Sequence, residues 1–436
     1  MTTPVWPALL TLLLMAAPWA AAAEDISSRD HQIQDLYQKI EAIERRHEEE
    51  LRELREEVEV LRRQAEEQGA ARFDGGSNAT TPVRPAPQGQ MLNVFNPRVT
   101  VFGNFLARSD SKRVENAEGQ NIADRFILRE VELDFRAAID PWADGVIITT
   151  LESEVPGEYT TSVEEGYVAL KKLPLLDEAP LGLKVRVGRF RPVFGRFNAI
   201  HTHDLPQSTR PRSLKNFLGE EGYVQDGLSA RFFLPSPGDA SVAEAYVAVL
   251  NGGGIPVGEA NAGEDPAWLG HLKLYNELAD GQDLEVGLSA WLGKGDEAGR
   301  ADSRLYGLDL TYRWQPPARA RWRSFVAGGE LYAADLEAPS LSTSPLGYYV
   351  WSQYQFNQNA YLGLRWDFAE EPEDENLETR TWSVFLSYYT TEFLRLRLGF
   401  EHSFSDIPEL DSLDTGLLEM NFVFGSHPVE PYWVNR

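Results

Sequence analysis

Apolar and polar side chains alternate along sixteen short segments of this chain, between residues 97 and 425. A period of two is typical of β-strands that have one apolar face and one polar face. Ionised side chains occupy the polar face of nearly every segment, which favours a wet surface over a dry core. The predicted strands are 97–107, 124–139, 145–155, 163–173, 182–192, 225–235, 242–251, 267–279, 283–294, 303–315, 320–335, 346–356, 359–369, 379–390, 392–404 and 414–425.

The connections between the predicted strands alternate in length. The even-numbered connections are mostly tight and rich in Pro, Gly, Asp or Asn, as at 140–144 and 280–282, whereas the odd-numbered ones are longer, except at 156–162. Tight turns at one end of many antiparallel strands describe an up-and-down barrel, and an even strand count describes one in an outer membrane. We therefore expect an all-β fold, a 16-stranded antiparallel transmembrane β-barrel over 97–425. A soluble β-sandwich is the alternative, but sandwiches rarely need so many strands.

The N-terminal residues predict export to the cell envelope of a Gram-negative bacterium. Leu9 to Ala23 is apolar, too short to span a bilayer, and ends in three alanines before Glu24. We interpret residues 1–23 as a signal peptide, although no Lys or Arg precedes the apolar stretch. An uncleaved anchor is the alternative.

A helical pattern follows over residues 24–68. From Ile26 to Gln68, apolar residues recur at spacings of three and four with Glu and Arg beside them, which is a heptad seam. We expect an N-terminal α-helical coiled coil in the periplasm, and a single solvated helix is the alternative. Residues 69–96, rich in Gly, Asn, Thr and Pro, indicate a flexible linker, and residues 426–436 form a C-terminal tail.

One basic stretch runs against the overall charge of the chain. The formal charge is −26, which makes nucleic acid an unsuitable partner. Residues 184–215 nevertheless hold eight basic residues against Asp204, a net charge of +7, and they cover most of the longest predicted loop, 193–224. If that loop folds into the barrel, the cluster lines a constriction that attracts anions. The residues we assign to this anion path are Arg189, Arg191, Arg196, Arg210, Arg212 and Lys215.

Two other roles for these cations stay open. They would also suit binding of anionic lipopolysaccharide outside the barrel, or pairing with the nearby acidic residues Glu220, Glu221 and Asp226. The same loop carries His201 and His203 on either side of Thr202, which makes them weak candidates for a transition-metal site. No third ligand is identifiable from the sequence, so histidines that simply hydrogen-bond or face water are the favoured interpretation.

The stretch Val187-Gly-Arg-Phe-Arg-Pro-Val-Phe-Gly-Arg-Phe-Asn198, with the later turns 220–222 and 225–227, resembles the phosphate-selective porin O/P family. The resemblance implies a trimeric 16-stranded barrel, a third loop folded inwards, and a phosphate site made by Arg and Lys at the constriction. Two departures stand out. Extra carboxylates lie on the predicted second and third strands, and the chain runs on past Phe424; the carboxylates are Glu130, Glu132, Asp134, Glu152 and Glu154.

We therefore expect a passive channel for small solutes, with anions such as phosphate preferred. No constellation of catalytic residues is recognisable, so we expect neither an enzyme nor a cofactor. The alternatives are a general or cation-preferring porin, and a structural barrel whose coiled coil tethers the outer membrane to peptidoglycan. The other expected partners are outer-membrane lipid, lipopolysaccharide and further copies of the chain in a homotrimer.

Overall fold

The computed structural model describes residues 97–116, 119–173, 179–236, 238–253, 265–294, 302–319, 321–338, 341–407 and 411–425. The predicted signal peptide, coiled coil, linker and C-terminal tail lie outside these residues. Within them, no helix is long and apolar enough to cross a membrane.

Antiparallel strands make up almost all of the described structure. The first eight are β1 (Arg98–Asp110), β2 (Arg125–Asp140), β3 (Ala143–Glu152), β4 (Thr160–Leu170), β5 (Lys184–Phe190), β6 (Gln225–Leu234), β7 (Ser241–Leu250) and β8 (Ala267–Ala279). The others are β9 (Gln282–Lys294), β10 (Asp302–Trp314), β11 (Ser324–Ala338), β12 (Leu341–Thr343), β13 (Leu346–Gln355), β14 (Ala360–Glu371), β15 (Asp374–Thr391), β16 (Leu394–Ser405) and β17 (Leu413–Gly425). One α-helix is present among the described residues, α1 (Arg212–Leu218).

Each strand pairs with its neighbours in the chain, and the last strand closes the sheet onto the first. β17 runs antiparallel to β1 from the pair Thr100 and Gly425 to the pair Asp110 and Thr415. The short strand β12 pairs only with the end of β11, through Leu336 and Thr343, and so adds nothing to the wall. The result is a closed barrel of sixteen strands, which confirms the predicted fold.

The predicted strand positions hold, and the differences lie at the ends. The predicted loop 370–378 is wrong, because β14 continues to Glu371 and β15 begins at Asp374, so two residues join them. The mostly polar run 374–378 belongs to β15 without showing apolar alternation, and it pairs with β14 through Asp374 and Glu378 across a register shift. β5 ends at Phe190, two residues before the prediction, because the chain turns inwards there towards Pro192.

The two faces of the wall differ sharply. In β16, Leu396 and Leu398 are exposed on the outside, whereas Arg395 and Arg397 are buried on the inside. Large apolar side chains such as Trp268, Leu288 and Leu364 are likewise exposed on other strands. A closed sheet leaves no unpaired backbone edge, so it can meet lipid with an apolar outer face and keep its charges within.

Candidate functional site

The third loop, residues 191–224 between β5 and β6, folds into the barrel. It is rich in apolar side chains that an extracellular loop in water could not bury. Seven of them are almost inaccessible to solvent, at 0–1% exposure: Phe194, Phe197, Leu205, Leu214, Phe217, Leu218 and Tyr223. They form one apolar cluster with inward-facing residues of the wall, which explains why the loop lies inside the lumen.

Aromatic side chains on β11 and β13 receive the loop. The ring of Tyr332 stacks with Phe194 at 6.1 Å between centroids and with Phe217 at 5.7 Å. The ring of Phe197 lies 5.3 Å from that of Tyr349. These inward aromatic residues interrupt the polar lumen face and give the loop an apolar floor.

Two buried carboxylates of the wall hold the backbone of the loop. Glu330 on β11 accepts hydrogen bonds from the backbone N–H groups of Arg196 at 3.0 Å and Phe197 at 2.8 Å. Asp367 on β14 accepts from the N–H of Arg212 and from the N–H of Ser213, the latter at 3.1 Å. Asp367 therefore satisfies free N–H groups at the start of α1.

Two further strands of the wall, β16 and β17, also hold the loop. Arg395 on β16 donates to the carbonyl of His203 at 2.8 Å, and Arg397 donates to the carbonyl of Leu205 at 2.8 Å. Both guanidinium groups pair with Glu419 on β17, at 2.6 and 3.1 Å. The loop is thus fixed to wall strands from β11 to β16.

Each cation of the predicted anion path has an acidic partner. The pairs are Arg189 with Asp226, Arg191 with Glu164, Arg196 with Glu285, Arg210 with Glu221, Arg212 with Glu371, and Lys215 with Glu220. Three of these partners are the acidic residues that the sequence offered as an alternative. Arg189 shares the strand face of the exposed Val187, which places it on the outside of the barrel and away from the lumen.

A cavity of about 510 Å³ lies between the loop and the wall, lined by residues of β2 and of β4 to β10. Arg136, Arg231 and Glu285 line it within a few residues of the short turns, so it opens on that side of the loop. Six cations and five carboxylates face it: Arg136, Arg186, Arg191, Arg196, Arg231 and Lys273, with Glu165, Asp204, Glu244, Glu285 and Asp309.

Arg186 is a lumen residue that the site prediction missed. Its guanidinium group lies 5.0 Å from the centroid of the Tyr167 ring, a cation–π contact. Among the described residues, no carboxylate lies within ion-pair distance of it. The strand period offered a signal, because Arg186 is on the same face of β5 as the buried Phe190.

The two histidines of the loop meet acidic residues of β2 and β4. His201 donates from Nε2 to Glu165 at 2.9 Å, and its Nδ1 lies 2.9 Å from Glu132 and 3.2 Å from Glu164. His203 stacks on Phe102 at 4.3 Å, and its Nδ1 lies 3.4 Å from Glu130. The sequence could not supply these partners, because they lie 36 to 73 residues away.

The carboxylates around the two rings create a strongly cation-attracting position. Burial alone would lower the pKa of His201, but the attraction of Glu132 and the hydrogen bond to Glu165 outweigh it and raise the pKa to about 10. Burial opposes the rise at His203 too, yet Glu132, Asp204 and Glu130 raise its pKa to about 9. By contrast, burial and the neighbouring Arg210 lower the pKa of Arg191 to about 10.

Comparison with known proteins supports the fold. No family of known proteins matches the chain. An uncharacterized protein of Aquifex aeolicus is 27% identical over 349 residues, which is 70% of each chain. Among solved structures, OprB of Pseudomonas putida superimposes with a TM-score of 0.52 at 10% identity, over 77% of this chain and 96% of its own.

OmpF of Salmonella typhi, solved with daunomycin, gives a TM-score of 0.50 at 10% identity, over 76% of this chain and 98% of its own. Both are outer-membrane porins, so the chain has the fold of a porin. They show the fold alone, and the resemblance to the phosphate-selective porin O/P family stays a prediction. The closed barrel with an apolar exterior places the protein in an outer membrane.

Proposed function

We propose that the protein is a passive channel for small solutes, in which the third loop narrows the barrel. The observation that carries this proposal is the charged cavity of about 510 Å³ beside the folded loop. A barrel wall needs no ionised side chains on its inner face unless water or polar solutes reach it.

We further propose that small anions such as phosphate are preferred, with Arg186 as the principal selective residue. The cations originally assigned to the path are neutralised in pairs, which weakens their attraction for a passing anion. The guanidinium group of Arg186 faces the cavity and stacks on Tyr167. No carboxylate of the described residues is paired with it, so a solute anion can bind it without displacing one. At the dielectric of water, one such charge about 4 Å from an anion is worth about 1 kcal/mol, or about fivefold in anion occupancy.

The test is the reversal potential of the full-length protein in a planar lipid bilayer under a salt gradient. We expect discrete conductance steps, and Arg186→Gln should lower the ratio of anion to cation permeability about fivefold. Arg189→Gln is the matched control, because it removes the same charge from the outer face of the same strand. An unchanged ratio in Arg186→Gln, or a cation-preferring wild-type pore, would favour the general or cation-preferring porin.

A structural role is the second candidate. It is favoured by the contacts that fix the loop to the wall, such as those at Tyr332 on β11 and Arg395 on β16. A barrel that shows no discrete conductance steps would support a tether between the outer membrane and peptidoglycan. The homotrimer, the coiled coil and the binding of lipopolysaccharide stay predictions under either candidate function.

A further inference from the structure

Two histidines and four carboxylates converge where the third loop passes β2 and β4. The residues are Glu130 and Glu132 on β2, Glu164 and Glu165 on β4, and His201 and His203 on the loop. Three separate chain segments thus supply nitrogen and oxygen atoms to one place. These are the ligand types that imidazole-binding divalent metals such as Zn²⁺ use.

Three buried polar atoms of this cluster face one another. Apart from one another, Glu132 Oε2, Glu164 Oε2 and His201 Nδ1 have no hydrogen-bond partner among the described residues. The nitrogen lies 2.9 Å and 3.2 Å from the two oxygens, and the three atoms lie within 4.8 Å of one another. Glu132 is only 2% exposed. Buried polar atoms need partners, and a cation at this point, either the proton on Nδ1 of His201 or a metal ion that replaces it, satisfies all three.

Two of the other polar atoms of these side chains already have partners. His201 donates from Nε2 to Glu165, which leaves the Nδ1 lone pair directed at Glu132 and Glu164. The other oxygen of Glu164 is paired with Arg191. A carboxylate that accepts the distal N–H of a ligating histidine is the usual outer support of a metal site.

The charge of the cluster points the same way. Glu130, Glu132, Glu164 and Glu165 are each at most 9% exposed, and Arg191 is the cation paired with one of them. With both imidazole rings protonated, as their raised pKa values imply near neutral pH, the group carries a net charge of −1. With neutral rings, the form in which histidine binds a metal, it carries −3. A divalent cation offsets most of that charge in a place from which water is largely excluded.

We propose that Glu132, Glu164 and His201 bind a divalent transition-metal ion, with Zn²⁺ as the reference ion. Ligand atoms about 2.0–2.1 Å from a tetrahedral Zn²⁺ stand about 3.3 Å apart, close to the separations of the nitrogen from both oxygens. His203 and Glu130 stand beside this set, since Glu132 is shared with the second group Glu130, Glu132 and His203. The ion would join the loop to β2 and β4, and the proposal does not depend on channel activity.

The test is Zn²⁺ binding to the full-length protein, purified in detergent without a histidine tag and stripped of metal. Isothermal titration calorimetry and elemental analysis should find about one high-affinity Zn²⁺ per chain. The site should disappear in His201→Ala and in Glu132→Gln. Co²⁺ should give the visible spectrum of a nitrogen- and oxygen-ligated tetrahedral site in the wild type only.

Two further variants separate a ligand role from a folding defect. His402→Ala removes a histidine that pairs with Asp414 at 2.6 Å, and it should leave Zn²⁺ binding unchanged. Glu165→Gln should weaken Zn²⁺ binding about 10–100-fold through the orientation of His201, without abolishing it. Failure of the folded wild type to bind Zn²⁺, or equal binding by wild type and His201→Ala, overturns the proposal. If His201→Ala fails to fold, loss of the Co²⁺ spectrum in Glu132→Gln supports it and retention overturns it.

Discussion

The side chain of Glu419 shows how charges become fixed inside this barrel. It is fully buried on β17, and it accepts from Arg395, Arg397 and Asn104, the last at 3.0 Å. The two guanidinium groups in turn hold the carbonyl oxygens of the loop. A carboxylate in this position therefore serves both the wall and the loop.

Replacing Glu419 with Ala should lower the free energy of unfolding by about 3–5 kcal/mol, because it leaves two buried guanidinium groups without a counter-charge. Urea unfolding of the protein in lipid vesicles, followed by tryptophan fluorescence, measures this change. Glu378→Ala is the control, since its pair with Arg380 is solvent-exposed and should contribute at most about 1 kcal/mol. If both variants lose a similar free energy of unfolding, the expected contribution of the buried ion pairs of Glu419 is contradicted.

At the scale of elements, the loop depends on a close approach between α1 and β13. A Cβ atom added at Gly347 would lie 2.6 Å from Cε2 of Phe217 and 3.1 Å from Cβ of Ser213. Phe217 is fully buried against Tyr332, so its ring cannot move aside freely. The glycine in β13 therefore provides the space in which α1 docks.

Gly347→Ala should displace α1, with a cost of about 1–3 kcal/mol from overpacking. Single-channel conductance should rise, and the loop should become more sensitive to protease. The control is Gly363→Ala on the inner face of β14, where a Cβ atom would meet its nearest neighbour at 3.5 Å, an ordinary contact. Equal conductance and protease resistance in the two variants would argue against docking of α1 at β13.

The sequence was informative about strands because each one carries its own signal. The alternation along β16 can be recognised without knowing which strands pair with it. The same is true of the tight turns. The polar start of β15 gave no alternation, so its extension to Asp374 was missed. A strand end outside the apolar belt is set by pairing with its neighbour, and single-strand patterns do not report it.

The site was harder to predict because its chemistry comes from pairs distant in sequence. The net charge of +7 in 184–215 took no account of Glu164, Glu285 and Glu371, which lie on three different strands. The two histidines were recognised in the sequence, and Glu130 and Glu132 were noted only as extra carboxylates on the second strand. Glu164 and Glu165 were not singled out. When a loop folds inwards, its charged side chains lose contact with water and pair with side chains of the wall. A count of charges along the sequence does not show which wall residues these are.

At the scale of the whole molecule, the barrel separates an apolar exterior from a charged interior. Leu398 lies near the middle of β16, and its cross-strand neighbours Leu386 and Leu418 are also exposed to the outside. Phe404 lies near one end of the same strand and on the same outer face. If this outer surface meets lipid, the loss of stability caused by a charged side chain must depend on how deep in the bilayer that side chain lies.

Leu398→Arg should therefore destabilise the barrel by about 2–4 kcal/mol, because a guanidinium group near the bilayer midplane is poorly solvated. Phe404→Arg should cost only about 0–1 kcal/mol, since its side chain reaches the interface. Urea titrations of both variants in vesicles of defined thickness give the two free energies of unfolding. In a thinner bilayer the penalty at Leu398 should shrink, since the charge then lies closer to water. Equal losses of unfolding free energy at both positions in every bilayer would contradict a lipid-facing exterior. On a surface in water or against protein, the loss would not depend on bilayer depth or thickness.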